Sequence, residues 1–403
     1  MKNKPLILFF PFNLLSHYLR CLQLAQELRN DFEIAFCYSE TYEKWLVGYS
    51  TFHCEVLASE EVMACAEKFD FSWLNIGNIE RVFLSQVSAL QKLKPEMVIG
   101  DAAFTLKMAA EKCNVPYISV INGYMSKYYS HPRKLSKTHA AHKHLNNLPR
   151  GIADSITQFA ERWAFKEVHR PFRVLRKTYH LKKLKTYPDE LEGDHTLICD
   201  VPQLFPQKAL PATYQYIGPL FYSTDAKEDE IIERLNPNKP TILVSFGSSG
   251  NWQKLHLLND VVFHEFNIIT AGDNGSVVVG NHVISKPFIN NVSILPLSDL
   301  MICHGGNGTI YQALFCNVPI LAITSHFEQE WNMHRIEQLD LGAFIDDVSS
   351  ASELKSQVLR MIGQKPVIDF RKLIMNYTSD YRKEVLNKAM ECIQNIKLNN
   401  AKI

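Results

Sequence analysis

Two groups of side chains in this sequence have the types and spacing for chemistry on a phosphorylated ligand. The first is His304-Gly305-Gly306-Asn307-Gly308-Thr309, set between the apolar run Leu300 to Cys303 and the helical-looking Ile310 to Phe315. Glycines let the backbone approach an anion closely, and a helix start adds unpaired N–H groups and favourable dipole potential. A glycine-rich turn alone is a weak sign, because most such turns only join a strand to a helix. Its company strengthens it: His304 enters directly from the strand, Thr309 offers a hydroxyl, and Glu328-Gln329 follow the next apolar strand, Val318 to Ile323. In an open α/β sheet these groups gather at the carboxyl ends of neighbouring strands, where ligands bind. The expected ligand is a phosphate or diphosphate.

The second group is His17 and Asp101. Histidine is the side chain whose unperturbed pKa lies near neutrality, and an aspartate can fix its tautomer and stabilise its imidazolium. Simpler roles stand beside these. Asp101 could cap a helix beginning at Ala102, and Glu328 could be a solvated loop charge.

The elements that must position these groups follow from periodicity. Pro5 to Phe10 reads as a buried strand, Leu14 to Leu28 as a helix and Phe32 to Cys37 as a second strand, with His17 at the first junction. Strands at Met97 to Ile99 and Tyr117 to Val120 flank a helix from about Ala102 to Lys112, which puts Asp101 at a strand end. A second α/β unit begins at Thr241 to Phe246, turns at Gly247-Ser248-Ser249-Gly250, and continues through strands at Phe266 to Thr270 and Ser276 to Val279. Helices are expected at Ala351 to Ile362 and Tyr381 to Ile396. The prolines at 202, 206, 211 and 219 mark a linker, and Asp225 to Lys239 reads as a charged surface stretch.

Length and composition agree with two globular domains: 403 residues, 46% hydrophobic and 21% charged. The net charge of +1 excludes a global field for nucleic acid. It conceals a basic region, however, because residues 127 to 187 hold 15 Lys and Arg against Asp154, Glu161 and Glu167, a difference of 15 − 3 = +12. Tyr128, Tyr129, Phe159, Trp163, Phe165, Phe172 and Tyr179 are interspersed there. A solvated helical excursion and a face for anionic lipid or an acidic acceptor are both open. Nine cysteines without a C-x-x-C pair or zinc spacing read as reduced thiols, and there is no D-x-D pair for a metal. The apolar N-terminus is interrupted by Pro11, Asn13, Ser16 and His17, so a buried first strand of a soluble, cytoplasmic protein is expected rather than a signal peptide.

With these motifs in hand, the chain resembles the bacterial UDP-glycosyltransferases of the macrolide-glycosyltransferase type, glycosyltransferase family 1. The resemblance runs over nearly the whole sequence and is strongest from Phe288 to Ile345. It implies the α/β GT-B fold, two facing Rossmann-like doubly wound domains with an interdomain cleft. An acceptor-binding domain over residues 1–220 and a nucleotide-sugar-binding domain over 238–384 follow, with a C-terminal helix over 385–403 packing back on the first.

Residue by residue, the resemblance makes His304, the backbone at Gly306, Asn307 and Gly308, and Thr309 contacts of the donor diphosphate, with Gly247-Ser248 as a second phosphate-side turn. Phe288 stands where many relatives stack a tryptophan on the nucleobase, although Phe288 as a plain core residue is the simpler alternative. Asn290-Asn291 replace the usual Pro-Gln, and Asn291 keeps a polar contact near the base. Glu328-Gln329 occupy the place of an Asp-Gln pair that binds sugar hydroxyls. Gln312 replaces a glutamate that binds both ribose hydroxyls, and a neutral amide keeps one acceptor but loses charge-assisted strength. Ser16-His17 resembles a Gly-His whose histidine is the catalytic base, oriented by Asp101.

The implied activity is inverting, metal-independent transfer of a sugar from a nucleotide diphosphate sugar, with UDP-sugar the expected donor, to a hydroxyl of a small or lipid-like acceptor. No cofactor or metal is called for beyond the donor, and no nucleic-acid partner. Peripheral contact with the inner face of the membrane through the basic region is a further expectation. Two rival readings remain: a nucleotide-sugar epimerase of the same fold, which would give product without acceptor, and a catalytically silent nucleotide-sugar-binding partner.

Overall fold

A computed structural model describes residues 4–400 apart from 137, 138, 140, 141, 248, 249, 273–276, 346–348 and 365–367. The chain divides into two compact units, Met1–Leu220 with Asn376–Ile403, and Phe221–Met375.

In the first unit, β1 (Leu6–Pro11), β2 (Glu33–Cys37), β3 (Ser50–Phe52), β4 (Met97–Asp101), β5 (Tyr117–Ile121), β6 (His195–Ile198) and β7 (Tyr214–Tyr216) form one sheet. Its order is β3-β2-β1-β4-β5-β6-β7, and every pair is parallel. Parallel strands must be buried on both faces, and β1 shows how. Ile7 and Phe9 pack with Tyr18, Cys21, Leu24 and Leu28 of α1 (Leu15–Leu28), while Leu8 and Phe10 face a second cluster with Phe83 and Leu106.

In the second unit, β8 (Thr241–Ser245), β9 (Asn267–Ala271), β10 (Val283–Lys286), β11 (Leu300–Cys303), β12 (Ile320–Ile323) and β13 (Gly342–Ile345) run in the order β10-β9-β8-β11-β12-β13, again parallel. Each sheet reverses its strand order once, between β1 and β4 and between β8 and β11. Ligands of open parallel sheets bind at the carboxyl ends of such a pair. His17 and Asp101 sit at the first reversal, and Gly247 and His304 at the second.

Several elements differ from the sequence reading. Asp101 is the last residue of β4, and the following helix, α2 (Leu106–Cys113), begins later than expected with Thr105 at its N-cap. The capping role for Asp101 is thereby excluded. Ala102 adopts a left-handed backbone, φ 52°, to turn the chain out of the sheet. The strand expected at Ser276 to Val279 does not form among its described residues, 277–279; the strand is β10, further along. Residues before β8 belong to the second unit because Asn290 Nδ2 donates to the carbonyl oxygens of Thr224 (2.7 Å) and Ala226 (2.8 Å). All nine cysteines are free.

The C-terminal helix, Ser379–Asn400, places Val385, Leu386, Ala389 and Met390 in the same cluster as Ile7 and Phe9. Leu386 is fully buried there. Leu386→Ala is therefore expected to destabilise the protein by about 2–5 kcal/mol, read by urea unfolding.

Candidate active site

The first site is built on one ion pair. Asp101 is fully buried, and Arg20, one turn beyond His17 on α1, grips it with a two-pronged fork: Nε to Oδ2 and Nη2 to Oδ1, each 2.7 Å. Nη1 donates to Asn122 Oδ1 and to Cys199 Sγ (3.1 Å). Asn122 follows β5 and Cys199 follows β6, so one guanidinium ties α1 to the ends of three strands. Sequence reading missed Arg20. Its signal was an arginine in the buried stripe of α1, among Tyr18, Cys21, Leu24 and Leu28, where a charge survives only if paired.

His17 Nδ1 lies 3.0 Å from Asp101 Oδ1 and 2.7 Å from Arg20 Nη2. An arginine can only donate, so its bond to Nδ1 requires a bare Nδ1 and puts the ring proton on Nε2. The bond to Asp101 requires the opposite tautomer, with Nδ1–H donating and Nε2 bare. Only this second tautomer has a lone pair on the outer nitrogen for proton abstraction. Burial pushes the imidazole below its usual pKa of 6.5, Asp101 pulls it back up, and Arg20 pushes it down. The side chain keeps 15% of its surface exposed, and Phe12 meets the ring edge-on at 5.6 Å between centroids. His17 is thus a neutral, partly open imidazole with its inner nitrogen held.

The second site is the glycine turn between β11 and α4 (Asn307–Phe315), whose N-cap is Gly306. His304 is buried at the end of β11. A Cβ on Gly306 would fall 2.3 Å from His304 Nε2, so that position needs glycine for the ring to fit, and Gly247, whose φ of 54° itself favours glycine, would bring one to 3.0 Å from its Cε1. A Cβ on Gly308 would meet nothing within 4 Å, which leaves open space before the first turn of α4. Asn307, Gly308 and Thr309 are partly exposed there. Ser248 lies outside the described residues.

Around this turn, buried polar atoms go unpaired. Among the described residues, His304 Nδ1, His326 Nδ1, Gln329 Nε2 and Asn332 Oδ1 have no hydrogen-bond partner. Gln329 Oε1 accepts from the Ser325 amide at 2.7 Å, and Asn332 Nδ2 donates to Gly305 O at 3.0 Å. Native proteins pair nearly all buried polar groups, so a cluster of orphans beside a helix N-terminus marks a place for a polar ligand. Burial lowers the His304 pKa to about 4, and burial with the adjacent His304 lowers His326 to about 3. Both rings are neutral at pH 7 and offer hydrogen bonds rather than charge. His326 is a second residue that sequence reading did not single out; it stands at the N-cap position of α5 (Phe327–Gln338), which holds Glu328 and Gln329 in its first turn.

Gln312, one turn into α4, sits in an amide network. Its Nε2 donates to Tyr222 O at 2.8 Å, and its Oε1 accepts from Asn291 Nδ2 at 3.0 Å; Asn291 Nδ2 also donates to Ser245 Oγ at 3.2 Å. A glutamate here would turn an acceptor toward the Tyr222 carbonyl, so the neutral amide is what this backbone demands. Phe288 is 43% exposed and meets Tyr222 edge-on at 5.1 Å, an aromatic surface rather than a core residue. Glu328 is half-buried. Among the described residues no group of three or more His, Cys, Asp and Glu gathers as metal ligands, and no helix is long and apolar enough to cross a membrane.

Comparison with known proteins points to glycosyltransferases. Residues 245–373 match the glycosyltransferase family 28 C-terminal domain. A PGL/p-HBAD biosynthesis rhamnosyltransferase of Mycobacterium bovis is 25% identical over 356 residues, 85% of this chain and 76% of its own. A PGL/p-HBAD biosynthesis glycosyltransferase of Mycobacterium tuberculosis is 26% identical over 342 residues, 82% and 78% of the two chains. In structure, the calicheamicin glycosyltransferase CalG4 matches with a TM-score of 0.69 at 15% identity, covering 97% of this chain and 99% of its own.

The Arg20 fork is the point of greatest leverage. Arg20→Ala leaves the Asp101 carboxylate buried and uncompensated, and should cost about 3–5 kcal/mol in urea unfolding. A loss of less than about 1 kcal/mol, the range of exposed pairs, would show that the pair does not organise the strand ends.

Proposed function

We propose that this glycosyltransferase, GT-B in fold, transfers a sugar from a nucleotide diphosphate sugar to an acceptor hydroxyl by a single inverting displacement, with His17 as general base. The observation that carries the reading is the His17–Asp101 contact at 3.0 Å at the strand-order reversal of the first sheet. In the tautomer with Nδ1–H on Asp101, Nε2 takes the acceptor hydroxyl proton as the oxygen bonds to the anomeric carbon. The bond from that carbon to the diphosphate breaks, and its electron pair leaves with the phosphate oxygen. Asp101 stabilises the imidazolium that forms. Because the donor side presents its first helical N–H groups, Thr309 and a neutral His304, it can take up the charge of the leaving diphosphate by preorganised hydrogen bonds. We infer that no metal is required.

UDP-sugar is the proposed donor class, and the relatives add a nucleotide-activated rhamnose to the sugars worth assaying. Gln312 spends its amide on Tyr222 and Asn291, so the donor ribose meets no carboxylate there. The basic, aromatic region favours a lipid-like acceptor, with the protein working at the inner face of a membrane. Phe288 would offer its exposed ring to the nucleobase, and Glu328-Gln329 the sugar hydroxyl contacts.

His17→Ala should lower transfer about 10²–10⁴-fold while leaving donor binding in place; unchanged transfer would overturn the mechanism. Because the imidazole pKa lies below 6.5, the rate should be level above that pH and decline only under it. EDTA should leave turnover intact, and a strict Mg²⁺ requirement would remove the metal-free reading. Sugar product formed without any acceptor would point to the epimerase instead.

A further inference from the structure

The basic region does not present its aromatic residues uniformly. Phe172 is fully buried, and Phe165 packs inward with the Arg133 guanidinium 5.1 Å from its ring centre. Much of the charge is also consumed internally. Arg133 pairs with Glu161, Lys127 with Asp189 (3.1 Å) and Glu192 (2.8 Å), and Arg176 with Glu190 (2.6 Å) and Glu111 (2.8 Å).

What remains outside is ordered on α3 (Arg150–Val168). Ile152, Ile156, Phe159 and Trp163 are 53%, 43%, 76% and 63% exposed. Their spacings of four, three and four residues put them on one stripe, about 16 Å long at 1.5 Å per residue. The opposite side of the same helix is anchored: Thr157 is buried, Glu161 holds Arg133, and Phe165 and Val168 pack against the core. The helix therefore has an apolar face toward the domain and a second one toward solvent. Arg162 and Lys166, four residues apart, flank the solvent stripe, and exposed Arg173 and Lys177 continue past its Trp163 end, while Arg170 lies 3.9 Å from Glu167. Only Asp154 and Glu167 are exposed acids in this stretch.

We propose that this stripe docks the protein on an anionic phospholipid surface, with Phe159 and Trp163 entering the headgroup and acyl boundary and the flanking cations on the lipid phosphates. A large apolar stripe with an aromatic end and a basic border is the composition of helices that lie in a membrane interface. Antiparallel pairing with a second copy across a twofold axis is disfavoured, because it would bring the two Arg162–Lys166 borders together. The inference deepens the reading of a lipid-like acceptor and rests on it for its purpose, but binding is measurable without turnover.

The test is flotation of the full chain, without substrate and at low salt, on phosphatidylcholine vesicles with and without phosphatidylglycerol. The chain should float with the phosphatidylglycerol vesicles, float far less with phosphatidylcholine alone, and detach as salt rises. The double variant Phe159→Ser/Trp163→Ser should lose about tenfold or more in partition, given the usual worth of a buried aromatic side chain. Its melting temperature and its transfer to a short water-soluble acceptor should match the parent. Absent flotation, flotation indifferent to the double variant, or a dimer that the double variant dissociates would each overturn the docking face. Docking without transfer would sink the proposed reaction and leave the surface standing; transfer without docking would do the reverse.

Discussion

The first unit depends on a single guanidinium. Arg20 has five N–H donors, and its bonds to Asp101, Asn122, Cys199 and His17 use them all if Nδ1 of His17 is bare. A buried arginine so engaged fixes the relative positions of its acceptors, which are the ends of β4, β5 and β6. The cost of dehydrating two charges is offset because the fork is bidentate and both Nη1 protons are paired, with Asn122 and Cys199. His17 inherits its position from this arrangement and takes part in its one ambiguity. Its inner nitrogen can serve Arg20 or Asp101, and the choice decides whether the outer nitrogen is a base.

The second unit is organised differently, by neutral groups. His304 is confined between glycines, Gln312 is held by amide bonds, and both buried histidines near the turn stay uncharged at neutral pH. Among the described residues, His304 Nδ1 and Gln329 Nε2 find no partner and leave hydrogen-bonding capacity free. Helix dipole and oriented N–H groups at α4 supply favourable potential without a mobile cation. A site of this kind is preorganised by backbone geometry, and its selectivity comes from shape and hydrogen bonding.

Much of this was legible in the sequence. The apolar runs that became β1, β2, β4, β5, β8 and β11 are short, continuous and separated by helical periodicity, a pattern with few alternatives to a parallel doubly wound sheet. The glycine turn and its histidine followed from local chemistry, and the glycosyltransferase resemblance is supported by relatives and fold together. Local signals failed where tertiary pairing decided the outcome. The segment at Ser276 to Val279 has strand-like residues, yet the edge strand forms at Val283 to Lys286, where it pairs with β9. The solvent stripe on Arg150–Val168 was hidden because sequence cannot say which of two apolar helix faces is turned inward.

The sequence by itself determined two parallel α/β units, the placing of His17, Asp101 and His304 at strand ends, and the glycine turn that opens a helix. These depend on periodicity and backbone sterics, which act over a few residues. Only the tertiary structure decided that Arg20 rather than solvent holds Asp101, that Gln312 answers the Tyr222 carbonyl, and that Ile152, Ile156, Phe159 and Trp163 face outward. Those outcomes join residues as much as 90 positions apart along the chain, and a hydrogen bond or a buried face exists only once the chain has brought both sides together.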